Sequence, residues 1–114
     1  MELQYRDLEN NIRLIKLIGE LDIIGVGAIE TPFTGYCAGE TPRVLVDLSE
    51  VSFLASIGIR LLTLNAKSIA SRGGRMVLLQ PTPDVRSVLE ITGIPAIIPI
   101  YDGLESAETV LLAS

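Results

Sequence analysis

V44-L-V-D-L-S-E-V-S-F-L-A-S-I-G58 is the stretch on which the fold turns. It begins with V44-L-V-D-L48, an apolar run broken by one acid, the pattern of a central strand covered on both faces. S49-E-V-S-F-L-A55 reads as the loop that leaves the strand's carboxyl end, and Ser56 opens a helix. Leu61, Leu62, Ala66, Ile69 and Ala70 recur there at three- and four-residue spacing until G73-G74 stops it. A hydroxyl at that start has two readings. As an N-cap it accepts a first-turn amide, worth about 1 kcal/mol. As a modifiable group it could take a phosphate of about −1.5 to −2 charges, set against unpaired amides and the positive end of the helix dipole.

Upstream, L3-Q-Y-R-D-L8 and I12-R-L-I-K-L-I18 are strand candidates joined through E9-N-N11, an early hairpin. In the second, Ile12, Leu14 and Lys16 oppose Arg13, Ile15 and Leu17, an imperfect alternation. G19-E-L-D22 reads as a turn out of that strand. Five helix-weakening residues follow between Ile23 and Pro42, namely Gly25, Gly27, Pro32, Gly35 and Gly39, so the expected helix is shortened or restarts with Thr31 as cap and Pro32 in the first turn. The connection T41-P-R43 leads into the central strand.

Downstream, M76-V-L-L79 is another buried strand. Thr82 caps a helix with Pro83 at its first position, Asp84 in its first turn and Gly93 beyond its end. I97-I-P-I100 reads as a short strand whose Pro99 favours the sheet edge. Asp102 and Glu105 have capping-box spacing before a last helix carrying Leu104, Ala107, Val110 and Leu111. The order β-β-α-β-α-β-α-β-α predicts a mixed sheet with helices packed on it.

Composition narrows the function. The 114 residues suit one domain. A net charge of −5 gives no basic surplus for nucleic acid. One cysteine, Cys37, excludes an intrachain disulfide and reads as a buried apolar residue. Histidine is absent, which removes the commonest general base, a Ser-His-Asp triad and most zinc sites. No signal peptide or membrane span is legible, so a cytoplasmic protein without membrane insertion is expected. G25-V-G27 lacks the full dinucleotide-loop spacing and no Gly-Lys-Ser/Thr loop occurs, so no cofactor and no metal are expected.

On the Ser56 helix, Ile57, Arg60, Leu64 and Lys67 form one stripe. It is either a solvated face or a docking surface in which the aliphatics are buried and the cations meet a partner's acids. Asp22 is a turn or cap residue by local pattern, and Asp47 a strand-end carboxylate; both come near Ser56 if their strands are neighbours.

G19-E-L-D22, V44-L-V-D-L48 and F53-L-A-S-I-G58, with the following helices in order, resemble the STAS domain of anti-sigma factor antagonists through nearly the whole chain, weakest from Ile24 to Glu40. The resemblance implies an α/β fold of the SpoIIAA type, with residues 1–114 as one STAS domain. It implies no enzyme, but an antagonist that binds a kinase-type anti-sigma factor and frees the sigma factor. That serine kinase would phosphorylate Ser56, and a phosphatase would reset it. Asp22 falls on the family's acidic position and, with Ile57, Gly58, Arg60, Leu64 and Lys67, makes up the expected partner-binding set. The family's usual Asp-Ser-Ser-Gly or Asp-Ser-Thr-Gly is here A55-S-I-G58, without the acid and the second hydroxyl. That departure sustains a second reading, a STAS accessory subunit with no phosphorylation cycle, for instance on a transporter ATPase. A third, Ser56 as an enzymatic nucleophile with Asp22 or Asp47 as base, is weak because a carboxylate activates serine poorly.

Overall fold

The computed structural model describes residues 1–40 and 42–113; Thr41, in the connection before the central strand, lies outside them. Strands β1 (Glu2–Asp7) and β2 (Ile12–Leu21) form the hairpin, α1 (Ile23–Tyr36) leads to β3 (Arg43–Leu54), and α2 (Ser56–Ser71) to β4 (Arg75–Leu79). Helix α3 (Pro83–Ile91), the short β5 (Ile100–Tyr101) and α4 (Leu104–Leu112) complete the chain, in the order expected from the sequence. The sheet runs β1-β2-β3-β4-β5, antiparallel only at β1/β2. Parallel neighbours joined through helices set all their carboxyl ends on one edge.

Helices α1, α2 and α3 cover one face. Ile15 and Leu17 of β2, Val44, Val46 and Leu48 of β3, and Met76 and Leu78 of β4 meet Val26, Ile29 and Phe33, then Leu61, Leu62 and Ile69, then Val85 and Leu89. The alternate residues Leu45, Val77 and Leu79 face the other way and meet Ala107 and Leu111 of α4. Val44 to Leu48 is therefore a strand covered on both sides, as its unbroken apolar run requires.

Four local expectations change. The residues Gly19 to Leu21 are not a turn and Ser49 to Leu54 are not a loop: they pair with each other, Ile18 with Glu50 through Leu21 with Leu54, past irregularities at Lys16/Ile18 and Gly19/Glu20. These register shifts break the alternation that would have betrayed a strand. Helix α1 runs unbroken for 14 residues with Pro32 inside it. The proline is exposed, and so is Ala28, whose carbonyl loses its partner, so water can satisfy it while Val26, Ile29 and Phe33 hold the helix on the sheet.

Residues 97 and 98 are not strand. A 3₁₀ turn at Ile94–Ala96 captures the Ile97 and Ile98 amides on the Ile94 carbonyl, each at 2.8 Å, and pairing starts only at Ile100. Asp102 does not cap α4, whose N-cap is Gly103; it forms an ion pair with Arg86 of α3 instead. By contrast, Thr82 does cap α3, accepting from the Val85 amide at 3.4 Å. Helix α2 closes at G73-G74 through bonds to the Ala70 and Ile69 carbonyls, 3.0 Å each.

Candidate functional site

Because β2 and β3 end together, two helices start from one spot. Leu21 is paired with Leu54, and the Ala55 amide donates to the Leu21 carbonyl at 3.0 Å. One extended residue then separates each strand from its helix: Asp22 before α1 and Ala55 before α2. Three residues past each cap stands a buried glycine. A Cβ on Gly25 would lie 1.9 Å from the Glu20 carbonyl oxygen. One on Gly58 would lie 2.9 Å from Leu21 Cβ and 3.0 Å from the Leu21 carbonyl oxygen. Only a residue without a side chain lets the helix starts come this close to the sheet edge.

Ser56 is thus the first residue of α2, not its cap. The capping position is Ala55, whose carbonyl accepts from the Gly58 and Ile59 amides at 3.0 and 3.2 Å, and no side chain caps this end. The expected N-cap bond is absent because β3 continues to Leu54 and leaves only Ala55 for the turn. Among the described residues the exposed Ser56 hydroxyl makes no hydrogen bond, and neither do the amides of Ser56 and Ile57. A group added to Ser56 would meet free donors and the positive end of a 16-residue helix.

Asp22 sits beside this start and is itself the N-cap of α1, its Oδ1 accepting from the Gly25 amide at 2.7 Å. Asp47 does not come near. It stands opposite Lys16 in mid-strand, seven residues before Leu54 and so roughly 23 Å back along the chain. Its carboxylate accepts from the Ser49 amide at 2.9 Å. G25-V-G27 belongs to the first turns of α1 and forms no loop that could cradle a phosphate. Cys37 is buried beyond the far end of α1, where burial pushes its thiol up to about 12, the wrong direction for a nucleophile.

Of the stripe on α2, Arg60, Leu64 and Lys67 are exposed, whereas Ile57 is half-buried against the core. Neither cation forms an ion pair among the described residues. Gly58 is buried and offers no surface; it fixes where Ser56 stands. Three exposed apolar residues that the sequence reading passed over complete the surroundings: Ile23 and Ile24 open α1 at 75% and 83% exposure, and Phe53 precedes the Ser56 turn at 52%. The signal for Ile24 was present, since it falls opposite Val26, Ile29 and Phe33 on a helical wheel and cannot share their core. A groove of about 710 Å³ continues from the site between α1 and α2, lined on its α2 side by Ile57, Leu61 and Leu64.

The STAS domain pattern matches residues 6–107. An anti-sigma F factor antagonist of Lysinibacillus sphaericus is 27% identical over 95 residues, 82% of this chain and 81% of that one. BtrV of Bordetella bronchiseptica is 37% identical over 65 residues, 57% of this chain, so the match spans only 56% of BtrV's length. The structure of an anti-sigma factor antagonist (STAS) domain protein from Planctomyces limnophilus superposes with a TM-score of 0.83 at 29% identity, covering 97% of this chain and 95% of that one. With the pattern spanning strands β2 to β5, three of the four helices in full and both helix starts, the chain belongs to the STAS domain family.

Proposed function

We propose that this protein is an anti-sigma factor antagonist of a partner-switching pathway, a cytoplasmic, non-enzymatic binding protein controlled by a phosphate on Ser56. In this reading the unmodified surface around Ser56 holds a kinase-type anti-sigma factor, the kinase phosphorylates Ser56, and a phosphatase restores binding. The observation that carries it is the Ser56 hydroxyl itself: exposed, at the first position of α2 and, among the described residues, without a bond beside two free amides. A phosphate there would be stabilised by the helix end without disturbing the fold. It would also put about −1.5 to −2 charges beside Ile23, Ile24, Phe53 and Ile57, where a partner's apolar surface would otherwise close. The names of the Lysinibacillus and Planctomyces relatives support the same reading.

Intact-mass analysis with site mapping, on protein taken from its native host under growth and stress conditions, tests this directly. The expected result is a condition-dependent phosphate on Ser56. Binding supplies the second arm: Ser56→Asp is expected to lose affinity for the anti-sigma factor, and binding as tight as wild type would sink the switch. Ala55 and Ile57, standing where the family usually has an acid and a hydroxyl, favour one competing reading, a STAS interaction subunit with no phosphate cycle. Well-detected protein that never carries the phosphate, and that co-purifies with a membrane transporter, would select it.

A further inference from the structure

The groove between α1 and α2 has walls of opposite charge that the fold leaves unpaired. Along α2 the exposed Leu64 and the half-buried Ile57 flank the core residue Leu61 at the i, i+4, i+7 spacing, and Arg60 lines the groove beside them. Lys67, one helical step beyond Leu64, extends the basic rim. Across the groove α1 contributes Glu30, Thr31 and Thr34. Glu30 is exposed, and like Arg60 and Lys67 it forms no ion pair among the described residues. Asn65 closes the floor, buried, with its amide held on the Leu61 carbonyl at 3.0 Å.

We infer that this groove is a docking site for an amphipathic helix of the protein partner, with an apolar stripe flanked by acidic residues on one edge and basic residues on the other. The inference rests on the proposed partner-binding role and specifies the chemistry of what binds beside Ser56. Three features select a helix. The groove runs from Ile57 to Ser68, about 16 Å or three helical turns at 1.5 Å per residue. Its apolar residues have helical spacing, so a third helix can seat its side chains between those of α2. Both walls are helices, so no strand edge is offered to an extended segment.

The charges select the flanks: acids toward Arg60 and Lys67, a base toward Glu30. In this chain of net charge −5, a basic rim beside an exposed Leu64 is a local exception that discriminates between partners. Leu64 and the exposed part of Ile57 supply apolar contact, and the rim supplies the register. The groove starts at Ile57, next to Ser56, so a helix docked in it ends where the phosphate would stand.

The test uses the intact chain and three constrained helical peptides of three turns, with leucine at i, i+4 and i+7 and with Glu/Lys, Lys/Lys or Glu/Glu edges. Amide shifts followed by NMR are expected at Thr31, Thr34, Leu64 and Asn65 with the Glu/Lys peptide. Arg60→Glu/Lys67→Glu, two exposed changes whose thermal unfolding should match wild type, is expected to weaken that peptide by about 10-fold and to prefer the Lys/Lys peptide. Glu30→Lys is expected to shift preference to the Glu/Glu peptide. Charge-indifferent binding, shifts confined to Ile23, Ile24 and Phe53, or no binding would each overturn the inference. None of these outcomes reads the covalent mark on Ser56, so the groove and the phosphate switch stand or fall separately.

Discussion

The two helix starts at the shared end of β2 and β3 are near copies. L21-D-I-I-G25 and L54-A-S-I-G58 each run strand, one extended residue, helix, then a glycine pressed on the sheet edge. They differ in the cap. Asp22 closes α1 with its own carboxylate on the Gly25 amide at 2.7 Å, while Ala55 has nothing to offer and the Gly58 amide falls back on the Ala55 carbonyl at 3.0 Å. Among the described residues both starts leave their first two amides without a bond; the difference is that α1 already holds a carboxylate at its positive end, whereas α2 holds none and leaves that place for something added. An electrostatic site can thus be made by withholding a cap rather than by supplying a ligand.

The glycines test whether the shared geometry is obligatory. Gly25→Ala is expected to cost at least about 3 kcal/mol, because the new Cβ meets the Glu20 carbonyl oxygen, a backbone atom that cannot turn aside. Gly58→Ala should cost less, about 1–2 kcal/mol, since one of its contacts is the mobile Cδ1 of Leu54 and alanine regains helix propensity. Urea unfolding of both variants measures this, and equal losses would break the ranking.

The caps come next. Asp22→Ala is expected to lose about 1 kcal/mol, whereas Ala55→Asp is expected to gain about 0.5–1 kcal/mol by closing α2 as Asp22 closes α1. A neutral or destabilising Ala55→Asp in thermal unfolding would show that the second start is not open in the sense argued. The smallest effect belongs to Ser56→Ala, expected to stay within about 0.5 kcal/mol because the hydroxyl bonds to none of the described residues. A loss comparable with that of Asp22→Ala would reveal a structural role for Ser56 and weaken the proposed switch.

The order of strands and helices, the hairpin through E9-N-N11 and the Thr82 cap were all legible, because each depends on local periodicity or turn chemistry. What escaped depends on partners distant in sequence. Ser49 to Leu54 became a strand only by pairing with Ile18 to Leu21 across register shifts. Pro32 stays helical only because Phe33, next to it, is clamped in the core. Asp102 found Arg86 sixteen residues away rather than the amides beside it. At the site, Ser56 was visible as a helix-opening hydroxyl, but its role as cap was misjudged by one residue. Ile23 and Phe53 were hidden for a related reason, since their exposure follows from where the two strands stop, whereas Ile24 could have been read from its helical-wheel position.

That the Ser56 side chain bonds to none of the described residues separates two kinds of selection. Position 56 is presented outward by the backbone alone, through the Leu21–Leu54 pairing and the glycine at 58. Whatever residue stands there inherits the same exposure, at little consequence for folding. If position 56 carries the proposed phosphate, a lineage can gain, lose or mimic it by changing one codon, while the scaffold that displays it is maintained independently by its core.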